Sequence, residues 1–121
     1  MKYQNLKTFY EKYHSSIIVQ KKIIGRRNFT YRLILNVLEP FLNDQQMVLD
    51  IGCGTGTLSF YIANKGDQVI GIDISSSAIE ACQQSAIKLG IEEKTKFIAG
   101  DLFGKSFKNK FNNNMFVYFY Y

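Results

Sequence analysis

The chain has 121 residues, enough for one domain, and with 46% hydrophobic and 21% charged residues a packed core is expected. No apolar run is long enough to cross a bilayer, and the start of the chain lacks the apolar stretch of a secretory leader. Cys53 and Cys82 are too few for a disulfide framework or a metal set, so a cytoplasmic protein with no membrane partner is expected.

The formal net charge of +5 lies wholly before residue 46: residues 1–45 hold eight Lys/Arg and three Asp/Glu, whereas residues 46–121 hold seven of each. The plain reading of such a run is a solvated helical face; docking of an anionic substrate or RNA is the alternative.

In chain order, Leu6, Phe9, Tyr10 and Tyr13 recur at helical spacing and predict a short amphipathic helix over 3–14. Residues 15–27 fit a strand, a loop or a helix extension. A second helix is predicted from about Thr30 to Glu39, with Leu33, Ile34, Val37 and Leu38 on one side; Pro40 disfavours helix at Glu39 and marks its end. Residues 1–44 then read as a helical lead-in or lid, and 45–121 as the main domain.

The pattern changes at Met47-Val48-Leu49-Asp50-Ile51, a short apolar run stopped by glycine, which suits a buried parallel strand. Residues 57–65 predict a helix with Leu58, Tyr61 and Ile62 inward and Gly66 as its stop. Gln68–Ile72 is a second strand. Ser77 and Glu80 form a capping box for a helix lined by Ile79, Cys82, Ala86 and Leu89 and ended by Gly90. Lys96–Ala99 is a third strand. This alternation predicts an α/β fold, a doubly wound, mostly parallel sheet, partial at about four strands, with helices leading in.

Three segments carry chemistry. In Asp50-Ile51-Gly52-Cys53-Gly54-Thr55-Gly56 the glycines allow a sharp turn and a close ligand approach, and the next helix start offers amides to an anionic group. Asp73 lies 23 residues beyond Asp50, at the end of the second strand, where a carboxylate can accept from both hydroxyls of a ribose. It can instead cap the following helix. Gly100-Asp101-Leu102 follows the third strand, where an acidic side chain can accept from the exocyclic amine of adenine; a simple turn Asp is the other reading. These loops converge on one crevice and point to a nucleoside without choosing which.

Val48-Leu49-Asp50-Ile51-Gly52-Cys53-Gly54-Thr55-Gly56 resembles the glycine-rich first motif of class I (Rossmann-like) S-adenosylmethionine-dependent methyltransferases. Gly71-Ile72-Asp73-Ile74-Ser75 resembles their ribose motif and Gly100-Asp101-Leu102 their adenine motif, so the resemblance covers roughly residues 45–104. It implies S-adenosylmethionine as methyl donor and S-adenosylhomocysteine as product. It implies that the backbone of Gly52, Cys53, Gly54 and Gly56 holds the methionine portion, with Asp50 orienting it. It further implies that Asp73 takes the ribose hydroxyls, that Ile74 packs on adenine and that Asp101 and Leu102 read its edge. The spacing Gly-x-Gly-x-Gly departs from the Gly-x-Gly-x-x-Gly of NAD-binding folds.

A sulfonium methyl is already electrophilic, so transfer needs an aligned nucleophile in a dry site, and no catalytic residue stands out. A small-molecule acceptor is expected from the run Val48–Gly90, with RNA as the alternative. His14 reads as a surface or packing residue, or with Tyr10 and Tyr13 as part of a lid.

The family's fourth strand begins with a segment such as Phe-Asp-Leu-Ile. Here Phe111 is followed by Asn112, and the remaining Asn-, Phe- and Tyr-rich residues lose the resemblance. Two compatible expectations follow: a C-terminally truncated product, through a frameshift near Phe111, and a fourth strand over 115–121. An open apolar sheet edge predicts self-association. Two other classes of function compete with methyl transfer. One is a non-catalytic remnant. The other is a nucleic-acid-binding module using Lys21, Lys22, Arg26, Arg27 and Arg32.

Overall fold

A computed structural model describes residues 3–14, 19–42, 46–101 and 115–119. The elements run α1 (Tyr3–His14), α2 (Arg32–Leu38), β1 (Met47–Ile51), α3 (Thr57–Asn64), β2 (Gln68–Asp73), α4 (Ser76–Leu89), β3 (Thr95–Ala99) and β4 (Met115–Phe119). All strand pairs are parallel in the order β3-β2-β1-β4, the α/β arrangement expected from the alternation of elements. β4 lies beside β1 from Met47↔Met115 to Ile51↔Phe119. Among the described strands, the edges therefore fall on β3 and β4, and β1 is paired on both sides.

Strand alternation sorts the core onto two faces. Val48 and Val69 pack with Leu38, Ile62 and Ala63 beneath the helices, and Phe97 packs with Phe60, Ile79, Cys82 and Ala86. Leu49 and Ile72 form the opposite face with half-buried Ile51, Ile70 and Ile98. Residues 58–63 of α3 are buried throughout, as befits a helix wedged between the sheet and the lead-in segment. Tyr61 donates its hydroxyl to Glu39 at 2.7 Å, and Lys65 pairs with the same carboxylate at 3.0 Å, which ties α3 to the chain after α2. Among the described residues no helix is long and apolar enough to cross a membrane.

Three local expectations need correction. On α2 the buried residues are Leu35 and Leu38, whereas Leu33 and Val37 are 75% and 68% exposed. Leu35 is drawn inward by Leu58 and Tyr61 of α3, a contact that no spacing within α2 reveals. Pro40 marks the end of α2 as expected, since the helix stops at Leu38, but Glu39 keeps helical angles and opens a separate 3-10 turn over Glu39–Phe41. At this early turn position proline has no required donor to lose, and the 3-10 turn ends at the extended Leu42. The cap of α4 is Ser75, two residues before the expected Ser77: its hydroxyl accepts from the Ala78 N–H at 3.1 Å. Gly90 ends α4 in the left-handed region, as expected.

Candidate functional site

The candidate site is built around the end of β1. The chain leaves the strand at Ile51 and turns through Gly52, Gly54 and Gly56 at φ 73, 56 and 91°, a run of left-handed angles that side chains disfavour. The Gly52 and Cys53 N–H groups both donate to the Ile72 carbonyl, at 2.8 and 3.0 Å, which latches the turn to β2. Gly56 donates to the Cys53 carbonyl at 3.0 Å and caps α3. A Cβ on Gly56 would sit 2.7 Å from the Phe60 ring and 3.1 Å from the Cys82 sulfur. A Cβ on Gly54 would meet nothing within 4 Å. The middle glycine therefore borders open space, while the last is packed from below.

Asp73 is the node at which the three loops join. One carboxylate oxygen accepts from the Gly54 N–H at 2.9 Å and the other from the Ser75 N–H at 2.9 Å. Its backbone carbonyl accepts from Gly100 at 2.9 Å. The expectation of a helix cap is thus partly met, since Asp73 orders the start of α4 through Ser75. Each carboxylate oxygen offers more than one lone-pair site, so capacity for further donors remains.

Asp50 is 1% exposed beneath this loop. One of its oxygens accepts from the Ser59 hydroxyl at 2.5 Å, and the other has no hydrogen-bond partner among the described residues. Burial raises its pKa to about 7; the Ser59 hydrogen bond opposes the rise and the nearby Asp73 charge adds to it. A buried carboxylate with an idle oxygen suits a donor, or a cation, that arrives with a ligand.

The other expected site residues divide by position. Ile74 is half-buried just past β2, and Asp101 is half-buried one residue beyond Gly100. Leu102 lies outside the described residues, as do Phe111 and the side chains of Tyr10, Tyr13 and His14. The Cys53 side chain is buried among Phe60, Cys82 and Phe97, with its thiol pushed well above its ordinary pKa by hydrogen bonding to Cys82 and by burial. Cys82 donates to the Gly54 carbonyl at 3.1 Å, a contact to the loop beyond its expected core role.

Two residues escaped the sequence reading. Ser59 holds Asp50, yet in sequence it is one hydroxyl inside an apolar helix. Gln20 lies in the segment whose structure was left open. Its side-chain amide donates to the Thr55 carbonyl at 3.2 Å, the Thr55 hydroxyl at 3.2 Å and the Thr57 hydroxyl at 2.9 Å. Its backbone N–H donates to Ser85 at 2.8 Å. Gln20 thus clamps the glycine loop to α4 from outside. Gln20→Ala is expected to cost about 1–2 kcal/mol, read by urea unfolding, because the loop loses its outer donor. An unchanged midpoint would mean that the loop holds its shape without the clamp.

The family profile described as "Methyltransferase domain" matches residues 42–116. The ribosomal RNA small subunit methyltransferase C of Alcanivorax borkumensis is 36% identical over 80 residues, 65% of this chain and 24% of that protein. The mRNA cap guanine-N(7) methyltransferase of Eremothecium gossypii is 34% identical over 86 residues, 69% of this chain and 20% of that protein. This chain thus spans a quarter or less of the curated relatives it matches. Among solved structures, a SAM-dependent methyltransferase from Thiobacillus denitrificans in complex with S-adenosyl-L-homocysteine superposes with a TM-score of 0.56 at 26% identity, over 79% of this chain and 37% of that one. The matched region runs through the glycine turn, the Asp73 node and the third strand, and on it the chain belongs to the methyltransferase domain family.

Proposed function

We propose that the chain binds S-adenosylmethionine at the carboxyl ends of β1, β2 and β3 and presents its methyl group to an acceptor. The observation that carries this reading is the idle, fully buried oxygen of Asp50 beneath a glycine turn with open space at Gly54. An ammonium group on the ligand's methionine portion supplies the donor and the positive charge that this oxygen lacks, directly or through water. The S-adenosyl-L-homocysteine bound in the Thiobacillus denitrificans structure supports the choice of ligand.

In this reading Gly52, Gly54 and Gly56 give the backbone its close approach, and Cys53 acts through the shape of the turn, since its side chain is committed to the core. Asp73 accepts the ribose hydroxyls on its remaining lone pairs, Ile74 packs on adenine, and Asp101 and Leu102 read the adenine edge. Residues 1–44 act as the lead-in that braces the crevice, with Gln20 as the contact. When bound, S-adenosylmethionine supplies an electrophilic methyl on a sulfonium; the chain's part is to hold, orient and exclude water. The run Val48–Gly90 that suggested a small metabolite belongs to this donor side, which meets the cofactor and not the acceptor. The names of the two curated relatives support counting RNA among the acceptors.

Isothermal titration with S-adenosylmethionine, S-adenosylhomocysteine and NAD tests the proposal. Saturable binding of the first two and none of NAD is expected. Binding of NAD alone, or of none of the three by folded protein, overturns it.

A further inference from the structure

The protein's net charge is concentrated in one ordered segment. Residues 19–32 hold Lys21, Lys22, Arg26, Arg27 and Arg32 and no Asp or Glu, so their five charges equal the formal +5 of the whole chain. All five side chains are exposed. A basic run alone is ordinarily a solvated surface, but this one is held in shape. Gln20 fixes its start on the glycine loop and on α4. Ile23 and Ile24 pack inward against the cluster of Leu35, Leu58 and Tyr61. Asn28 donates its N–H to the Gly25 carbonyl at 3.0 Å, closing a turn with Arg26 and Arg27 at its tip. The Asn28 side chain then accepts from Thr30 and Tyr31 at 3.0 and 3.1 Å, and its carbonyl accepts from Arg32 at 2.8 Å.

Next to this turn Phe29 is 85% exposed, and the Arg32 guanidinium lies 5.3 Å from its ring centroid. An exposed ring partnered by a guanidinium and flanked by cations is what unstacked bases and their phosphates need together. Arg26 also feels the Glu39 carboxylate; Lys21, Lys22 and Arg27 have no carboxylate partner among the described residues.

We propose that residues 20–32 form a docking platform for single-stranded nucleic acid, which brings the methyl acceptor to the crevice. The proposal rests on the donor-site reading for its role in methyl transfer, and on Phe29 and the five cations for binding. Phosphates sit on Lys21, Lys22, Arg26 and Arg27, and a base stacks on Phe29 and Arg32. The platform begins at Gln20, the contact that holds the glycine loop, so a strand lying on it reaches the loop that borders the donor site.

The test is fluorescence anisotropy of the full chain with a labelled single-stranded oligoribonucleotide, and a deoxy oligonucleotide of the same sequence, across a salt series without S-adenosylmethionine. Vesicles containing phosphatidylglycerol form a parallel arm, because exposed Leu33 and Val37 adjoin the segment. Binding to either oligonucleotide is expected, with Phe29→Ala weakening it by roughly 5- to 100-fold. Arg26→Gln with Arg27→Gln should reduce the slope of log K against log salt by about 1.4. Both variants alter exposed side chains, and Leu33→Ser, on the neighbouring apolar surface, should bind as the parent does. The proposal is overturned if no oligonucleotide binds, if Phe29→Ala and the double variant leave binding and slope unchanged, or if vesicles bind and oligonucleotides do not. The titration with S-adenosylmethionine is separate, so a failed donor site and a failed platform give different results.

Discussion

Affinity for S-adenosylmethionine should rise as pH is raised toward about 7, the value at which the buried Asp50 carboxyl loses its proton. Below that value the rise should approach tenfold per pH unit, and above it the curve should flatten. The cause is linkage. Without ligand, burial favours the neutral carboxyl; an ammonium group against its idle oxygen favours the carboxylate, so binding in this range releases a proton. The same shift makes the unliganded protein least stable at high pH. Between the ordinary 3.8 and about 7 the folded state holds the proton that the unfolded state has lost, so the stability contributed by the raised pKa is present in full below 3.8 and disappears as pH rises to about 7. By size the swing is at most about 4 kcal/mol.

Asp50→Asn separates the two effects. The neutral isostere keeps an acceptor for Ser59, so the ligand-free variant should match the parent at low pH, exceed it above about pH 7 and lose the slope. Its affinity for S-adenosylmethionine should be lower and insensitive to pH. Thermal melts across pH and calorimetry in buffers of different ionisation enthalpy measure both. A flat stability profile in the parent, identical to that of Asp50→Asn, would show that Asp50 is ionised normally and that its buried oxygen is already satisfied.

What the sequence made legible follows from how local each signal is. β1 and its glycine turn stand out because a buried parallel strand and a left-handed turn each impose residue types over a few neighbouring positions. Asp73 was legible as a strand-end carboxylate, but its bonds to Gly54 and Ser75 were not, since the first of them spans 19 residues. Gln20 was invisible for the same reason: its partners lie 35 to 65 residues away. On α2 the run Leu33-Ile34-Leu35 with Val37 and Leu38 is apolar on both sides, so periodicity alone cannot select the buried face. In Ser75-Ser76-Ser77 any serine can serve as a cap; Ser75 does so because its own N–H is already held by Asp73.

Gly54→Ala and Gly56→Ala should fail in opposite ways. At Gly56 a methyl group combines a left-handed φ of 91° with a contact 2.7 Å from the Phe60 ring. Phe60 cannot swing clear, because it is 1% exposed and packs edge-on against Phe97 at 5.7 Å. Backbone strain of about 1–2 kcal/mol and overpacking of about 1–3 kcal/mol then add to about 2–5 kcal/mol, a large share of the stability of a domain this size. The melting temperature should fall by roughly 10–20 °C. At Gly54 the φ of 56° lies in the centre of the left-handed region and a Cβ meets nothing within 4 Å, so only the backbone cost of about 1–2 kcal/mol applies. That variant should fold, yet bind S-adenosylmethionine at least about tenfold more weakly, because the methyl group occupies the space that the turn leaves to its ligand. Gly54→Ala binding like the parent would take the ligand away from the turn, whatever the fate of Gly56. The pair therefore distinguishes a glycine kept for packing from a glycine kept for the ligand, two residues apart in one loop.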